Sequence, residues 1–151
     1  MSFWTALRIG SSGMSAQRLR MDIISNNIAN AETTRTAEGG PYKRQDVIFM
    51  PKAQSTFLPE FIRARQAQDI EVISEERGMK VAGVTTDDSE GLKVYDPSHP
   101  DADKDGFVTY PNVNMVVEMT NMLSATRSYE ANLAVINFAK QMALRAIDIG
   151  R

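Results

Sequence analysis

The chain has no cysteine, a single histidine and a single tryptophan. Without cysteine there is no disulfide, no thiolate ligand and no thiol nucleophile, and the redox compartment cannot be read from composition. His99 alone leaves few groups for general-base or soft-metal chemistry. Basic runs are missing too, and the net charge is −2, so nucleic acid is not expected as a partner. No stretch reaches the roughly 18 apolar residues of a membrane-spanning helix. The N-terminus lacks the apolar middle of a cleaved signal peptide, because Arg8, Gly10, Ser11 and Ser12 interrupt it. Taken by itself, that pattern points to the cytoplasm.

What is present is 151 residues of ordinary composition, 42% hydrophobic and 24% charged. That is enough for one domain with a modest core. The order is helix, irregular β region, helix, an α+β chain. Over residues 3–30, Leu7, Met14, Met21 and Ile28 recur every seven positions, forming one helical stripe. Gly10 and Gly13 weaken this helix by about 1 kcal/mol each against alanine. Such a segment needs partners to stay folded. Residues 113–149 contain no Gly or Pro. Met115, Met122, Tyr129, Ile136 and Ala143 form one column there, and Met119, Thr126, Leu133, Lys140 and Ile147 a second. Eight of these ten are apolar, a coiled-coil seam. The two long helices are therefore expected to pair as an antiparallel coiled coil.

Between them, Gly39, Gly40 and Pro41 mark a turn before the strand-like "YKRQDVIFM". "MKVAGVTT" (79–86), "DDSEG" (87–91) and "LKVYDP" (92–97) read as a β-hairpin, with Gly91 at its turn. Residues 51–77 are polar, carry Pro51 and Pro59, and give no clear pattern. Val116, Leu123, Phe138, Met142 and Leu144 lie off the seam of the last helix, which has few charges. A helix apolar on several sides must be buried on several sides. The small middle region cannot cover two helices of this length, so other chains are expected to complete the burial.

"HPDADKDGFVTYPNVN" (99–114) begins like a calcium loop, with Asp101, Asp103, Asp105 and Gly106 spaced D-x-D-x-D-G. A complete loop closes with a bidentate Glu at its twelfth position. Here that position is Asn112, preceded by Pro111, so an Asp/Gly turn with side chains bonded to nearby N–H groups is the better fit. A calcium-binding interaction module remains the alternative function. His99 has no companion at metal spacing, and Glu75/Glu76 and Asp87/Asp88 fit solvated loop charge. No catalytic, cofactor or metal site is assigned. Asn26, Asn27 and Asn30 exceed what one helix cap requires, and suggest amide contacts to backbone or to a neighbouring chain. Arg127 and Glu130, in "ATRSYEAN" (125–132), fit an i,i+3 surface pair and equally a pair across an interface.

"GSSGMSAQRLRMDIISNNIANAETT" resembles the N-terminal motif of the bacterial flagellar rod and hook axial proteins, and "EMTNMLSATRSYEAN" followed by "AIDIG" resembles their C-terminal motif. "GGPYKR", "VYDPSHPDAD", "GFVTYPNVN" and the short length resemble a proximal rod member in particular. The resemblance implies a non-enzymatic structural subunit that stacks helically and transmits torque for motility, without cofactors. It implies terminal helices (1–31 and 113–151) in an inner layer, with the β-rich region (32–112) outside. The implied partners are copies of the chain, other proximal and distal rod proteins, rod-base and export-gate adaptors, and the type III export apparatus. It replaces the cytoplasm by the periplasmic rod of the basal body, reached without a cleaved signal. The interface residues expected on this basis are Leu7, Met14, Met21, Asn26, Asn27, Asn30, Met119, Met122, Arg127, Tyr129, Glu130 and Asn132.

Overall fold

A computed structural model describes residues 3–37, 39–52 and 78–149. Helix α1 spans Phe3–Ala29, followed by strands β1 (Gln45–Pro51), β2 (Met79–Thr86), β3 (Lys93–Tyr95) and β4 (Phe107–Thr109), and by helix α2 (Met115–Ile149). The unpatterned stretch at 51–77 lies almost wholly outside the described residues.

In α1, the hydroxyls of Ser11, Ser12 and Ser15 turn back onto the carbonyls of Arg8, Ile9 and Ser11. Bonded in this way, the serines do not draw the backbone out of the helix. At the C-terminal end, Asn26 O accepts both the backbone N–H of Asn30 at 3.0 Å and Asn30 Nδ2 at 2.9 Å, so the last turn is held twice. Helix α2 starts on Asn114, whose Oδ1 accepts from the N–H groups of Val116 and Val117. That is an N-cap, worth about 1 kcal/mol. With 35 residues, α2 is about 52 Å long.

The helices pack antiparallel: Gly10 faces Ile136, Gly13 faces Asn132, and Asn27 meets Glu118. The expected seam has the right period but sits one residue off. The column that faces α1 holds Glu118, Ala125, Asn132 and Ala139, beside Met122, Tyr129 and Ile136. The expected second column turns outward except at Thr126, with Met119 at 55% exposure and Leu133 and Ile147 also exposed. On α1 the buried residues are Thr5, Gly10, Gly13, Ala16, Gln17, Ile24 and Asn27, while Leu7, Met14 and Met21 flank them half-buried. The reason is close approach. A Cβ on Gly10 would lie 2.9 Å from Ile136 Cγ1, and one on Gly13 would lie 2.8 Å from Asn132 Nδ2. Small residues bring the backbones together and displace the larger side chains to the sides.

The expected hairpin of 79–86 with 92–97 does not form. β2 pairs antiparallel with β1, from Gln45↔Thr86 to Pro51↔Met79, with an irregularity at Ile48/Phe49. β3 pairs instead with β4, from Lys93↔Thr109 to Tyr95↔Phe107. "DDSEG" is a crossover between the two ladders: Asp87 N–H bonds Arg44 O, and Asp87 Oδ1 accepts from Ser89. Gly91 then passes so close to Tyr110 that a Cβ would sit 1.7 Å from its carbonyl oxygen. The glycine is needed for that backbone crossing and not for a hairpin turn. Sheet β1–β2 is tied to α1 by Ser12, whose Oγ accepts from Met79 N–H at 3.1 Å.

Candidate functional site

Two features stand out: a buried polar cluster at one end of the helix pair, and apolar helix faces left uncovered. The cluster centres on Asn27, which is fully buried. Its Nδ2 donates to Gln45 O (2.8 Å) and to Glu118 Oε2 (3.2 Å). Its Oδ1 accepts from Gln45 N–H and Tyr42 OH, both at 2.9 Å. An amide offers two donors and an acceptor with two lone pairs, and all are used. The side chain bonds the N–H and the C=O of Gln45 as a neighbouring strand would.

Glu118 is 1% exposed, on the first turns of α2. Its Oε1 takes Arg44 Nε at 3.0 Å and Arg44 Nη2 at 2.9 Å. Arg44 also reaches Asp46, at 3.5 Å. A carboxylate this deep needs such partners, since an unpaired buried charge costs several kcal/mol. Burial acts against the Arg44 charge, but the hydrogen bond and the charge of Glu118 outweigh it and raise its pKa. Burial, and then the negative charge of Glu118, push the Tyr42 phenol above its ordinary value.

The Asp-rich loop is a strap. Asp101 accepts from Thr34 Oγ1 at 2.8 Å and faces Arg35 at 3.6 Å. Asp103 Oδ1 accepts from Lys104 N–H, and Gly106 takes φ +79° beneath the Tyr95 ring. His99 Nδ1 accepts from Asp101 N–H, so the histidine belongs to the same turn. The loop therefore ties the segment after α1 to the approach to α2. Among the described residues, no group of three or more His, Asp or Glu side chains is placed to hold a metal ion.

The residues singled out in the sequence separate into three places. Asn27 is an interior group, and Asn30 closes the end of α1. Leu7, Met14, Met21, Met122, Tyr129 and Asn132 line the edges of the seam, half-buried; Thr126 Oγ1, for example, lies 3.6 Å from Met21 Sδ. Asn26, Met119, Arg127 and Glu130 are exposed. Sequence reasoning missed Glu118, Arg44 and Tyr42. The available signal was a lone acid on the first turns of an apolar helix, opposite the asparagine cluster.

The uncovered faces are extensive. Val116, Leu123, Phe138, Met142, Leu144 and Ile147 on α2 are each more than half exposed, and Trp4 stands out from the start of α1. Complete burial of such side chains is worth roughly 1.5–3 kcal/mol each, so surfaces like this mark interaction sites.

Residues 7–35 match the family described as flagella basal body rod protein, and residues 104–149 match the C-terminal family of the flagellar basal body rod FlgEFG proteins. The chain is 43% identical to the flagellar basal-body rod protein FlgC of Borreliella burgdorferi, across 99% of this chain and 98% of that protein. It is 39% identical to FlgC of Bacillus subtilis over the full length of both, and 35% identical to FlgC of Salmonella typhimurium over 95% and 94%. The chain belongs to the flagellar basal-body rod protein FlgC family. It is a structural rod subunit and not an enzyme. Rod membership accounts for the uncovered helix faces, because a subunit in an assembly is completed by its neighbours. No helix among the described residues is long and apolar enough to cross a membrane.

Proposed function

We propose that the chain builds the proximal rod by stacking its outward apolar helix faces against copies of itself and other rod proteins. The observation that carries this reading is the row of exposed large side chains on α2, on a helix whose small residues already satisfy α1. The interlocked helices transmit torque along the rod. Residues 1–31 and 113–151 form the rod-building layer, and 32–112 the outer β-rich part. The subunit reaches the periplasmic rod through the type III export apparatus without a cleaved signal, and meets proximal and distal rod proteins and the rod-base and export-gate adaptors there. The family relationship and the weak, glycine-containing α1 support this route.

The contact residues are Asn26, Met119, Arg127 and Glu130 on the surface, with Leu7, Met14, Met21, Met122, Tyr129 and Asn132 at the seam edges. Asn27 and Asn30 act from within, by fixing the helix end that presents them. Electron microscopy of basal bodies from a strain lacking the chain tests the assignment. Membrane rings without a completed rod and hook are the expected result, and intact rods and hooks would refute it.

A further inference from the structure

The polar cluster joins three parts of the chain, and its bonds are divided unequally among them. Between the helices themselves there is one contact, Asn27 Nδ2 to Glu118 Oε2. All the others come from the segment that leads into β1 and from its first residue: Gln45 N–H, Gln45 O and Tyr42 OH on Asn27, and Arg44 Nε and Nη2 on Glu118. Without that segment, α1 and α2 could meet in this register only by burying a carboxylate and an amide with most of their bonding unmet. Desolvation without compensation opposes such a contact strongly. On α2 the next residues facing α1 are the small Ala125 and Thr126, so the apolar area set against that penalty comes mainly from Ile24, Met21 and Met122.

We infer that the Tyr42–Gln45 segment is a clip that licenses helix pairing. At this end α1 and α2 close in the observed register only when the clip has docked, so strand β1 and the helix pair form as one cooperative unit. Arg44 is the decisive member, since it brings a positive charge into direct contact with Glu118; Asp46 meets Arg44 from the solvent side. This inference does not depend on the identity of the rod neighbours.

The absence of cysteine makes the test clean. Met21→Cys with Thr126→Cys places the only two thiols of the full-length chain at a pair of side chains now 3.6 Å apart. Mild oxidation of the purified chain should close this disulfide readily. Adding Arg44→Met, which lies outside both helices, should slow closure on the order of tenfold or more, because a buried charge loses its partner. Adding Glu118→Met to that variant removes the stranded carboxylate, and should restore closure to within about twofold of the parent. Closure at the parent rate with Arg44→Met alone would overturn the inference. So would slow closure that Glu118→Met fails to rescue.

Discussion

At one end of the helix pair, Asn27 and Glu118 are held out of water by four further hydrogen bonds and an ion-pair contact from the Tyr42–Gln45 segment. Towards the other end, Trp4 (edge-on to the Phe3 ring), Phe138 and Met142 stand largely in water. Both features belong to the same two helices, which pair along small residues at either end, yet the polar join is completed from within the chain and the outer apolar faces are not. Polar groups need defined geometry and are costly to leave unmet, so they suit a join that a single chain can complete. Apolar surface tolerates many partners and gains from any that exclude water, so it suits a join completed by another subunit. A rod subunit needs both: a fixed internal reference and a face that finishes itself on its neighbours.

Asn27→Leu should damage the closed end most. It strands the N–H and C=O of Gln45 and the Tyr42 hydroxyl, at about 1–3 kcal/mol for each buried group left unmet. Urea unfolding of the full chain, followed by helical circular dichroism, should show a loss of about 3–5 kcal/mol. A loss below about 1 kcal/mol would mean that the cluster contributes little. Gly10→Val should come next, at about 1–3 kcal/mol, because it overpacks against Ile136 where a Cβ already falls at 2.9 Å. The same assay reads it, and Ile136→Ala in the same chain should recover part of the loss.

Alkaline pH should loosen the closed end more gently. The phenol of Tyr42 has a raised pKa in the fold, through burial and then the charge of Glu118. A group raised on folding contributes stability that is complete below its unfolded value, near 10, and that is lost as pH rises through the higher folded value. Stability measured from neutral pH to above that point should therefore fall, and Tyr42→Phe should flatten the slope. An unchanged slope in Tyr42→Phe would assign the loss to other groups.

Phe138→Asp should have the smallest effect on the isolated chain, within about 0.5 kcal/mol, because the ring is 63% exposed. The same substitution should abolish swimming, by placing a charge in a face that must be covered. Normal swimming would remove Phe138 from the contact face. Hydrogen exchange sharpens the contrast across the whole pair. Amides of residues 24–29 and 118–126 should be protected well beyond those of 4–9 and 138–148, as expected where local opening is easier.

Much of this was legible in the residues. Two long helices, a β region between them and an incomplete apolar cover all follow from spacing and composition. The seam was displaced by one column because large apolar side chains were taken as its markers. The actual seam uses Gly10, Gly13, Ala16, Ala125 and Ala139, which carry little hydropathy signal and act through close approach. The hairpin expectation failed for a different reason. Local turn residues at 87–91 were visible, but the competing partner of β2 was β1, 28 to 41 residues earlier. The three asparagines announced a polar join, though nothing in their spacing identified Arg44 and Tyr42 as its other half.

Gly10 and Gly13 also fix a dimension. By admitting the opposing helix without a Cβ between, they set the width of the building block, and a side chain there would force the neighbour to give by a few tenths of an ångström. In a lone molecule that displacement is local. In an assembly every copy repeats it, and the mismatch accumulates from one subunit to the next. These two glycines hold a tolerance that no single subunit would reveal.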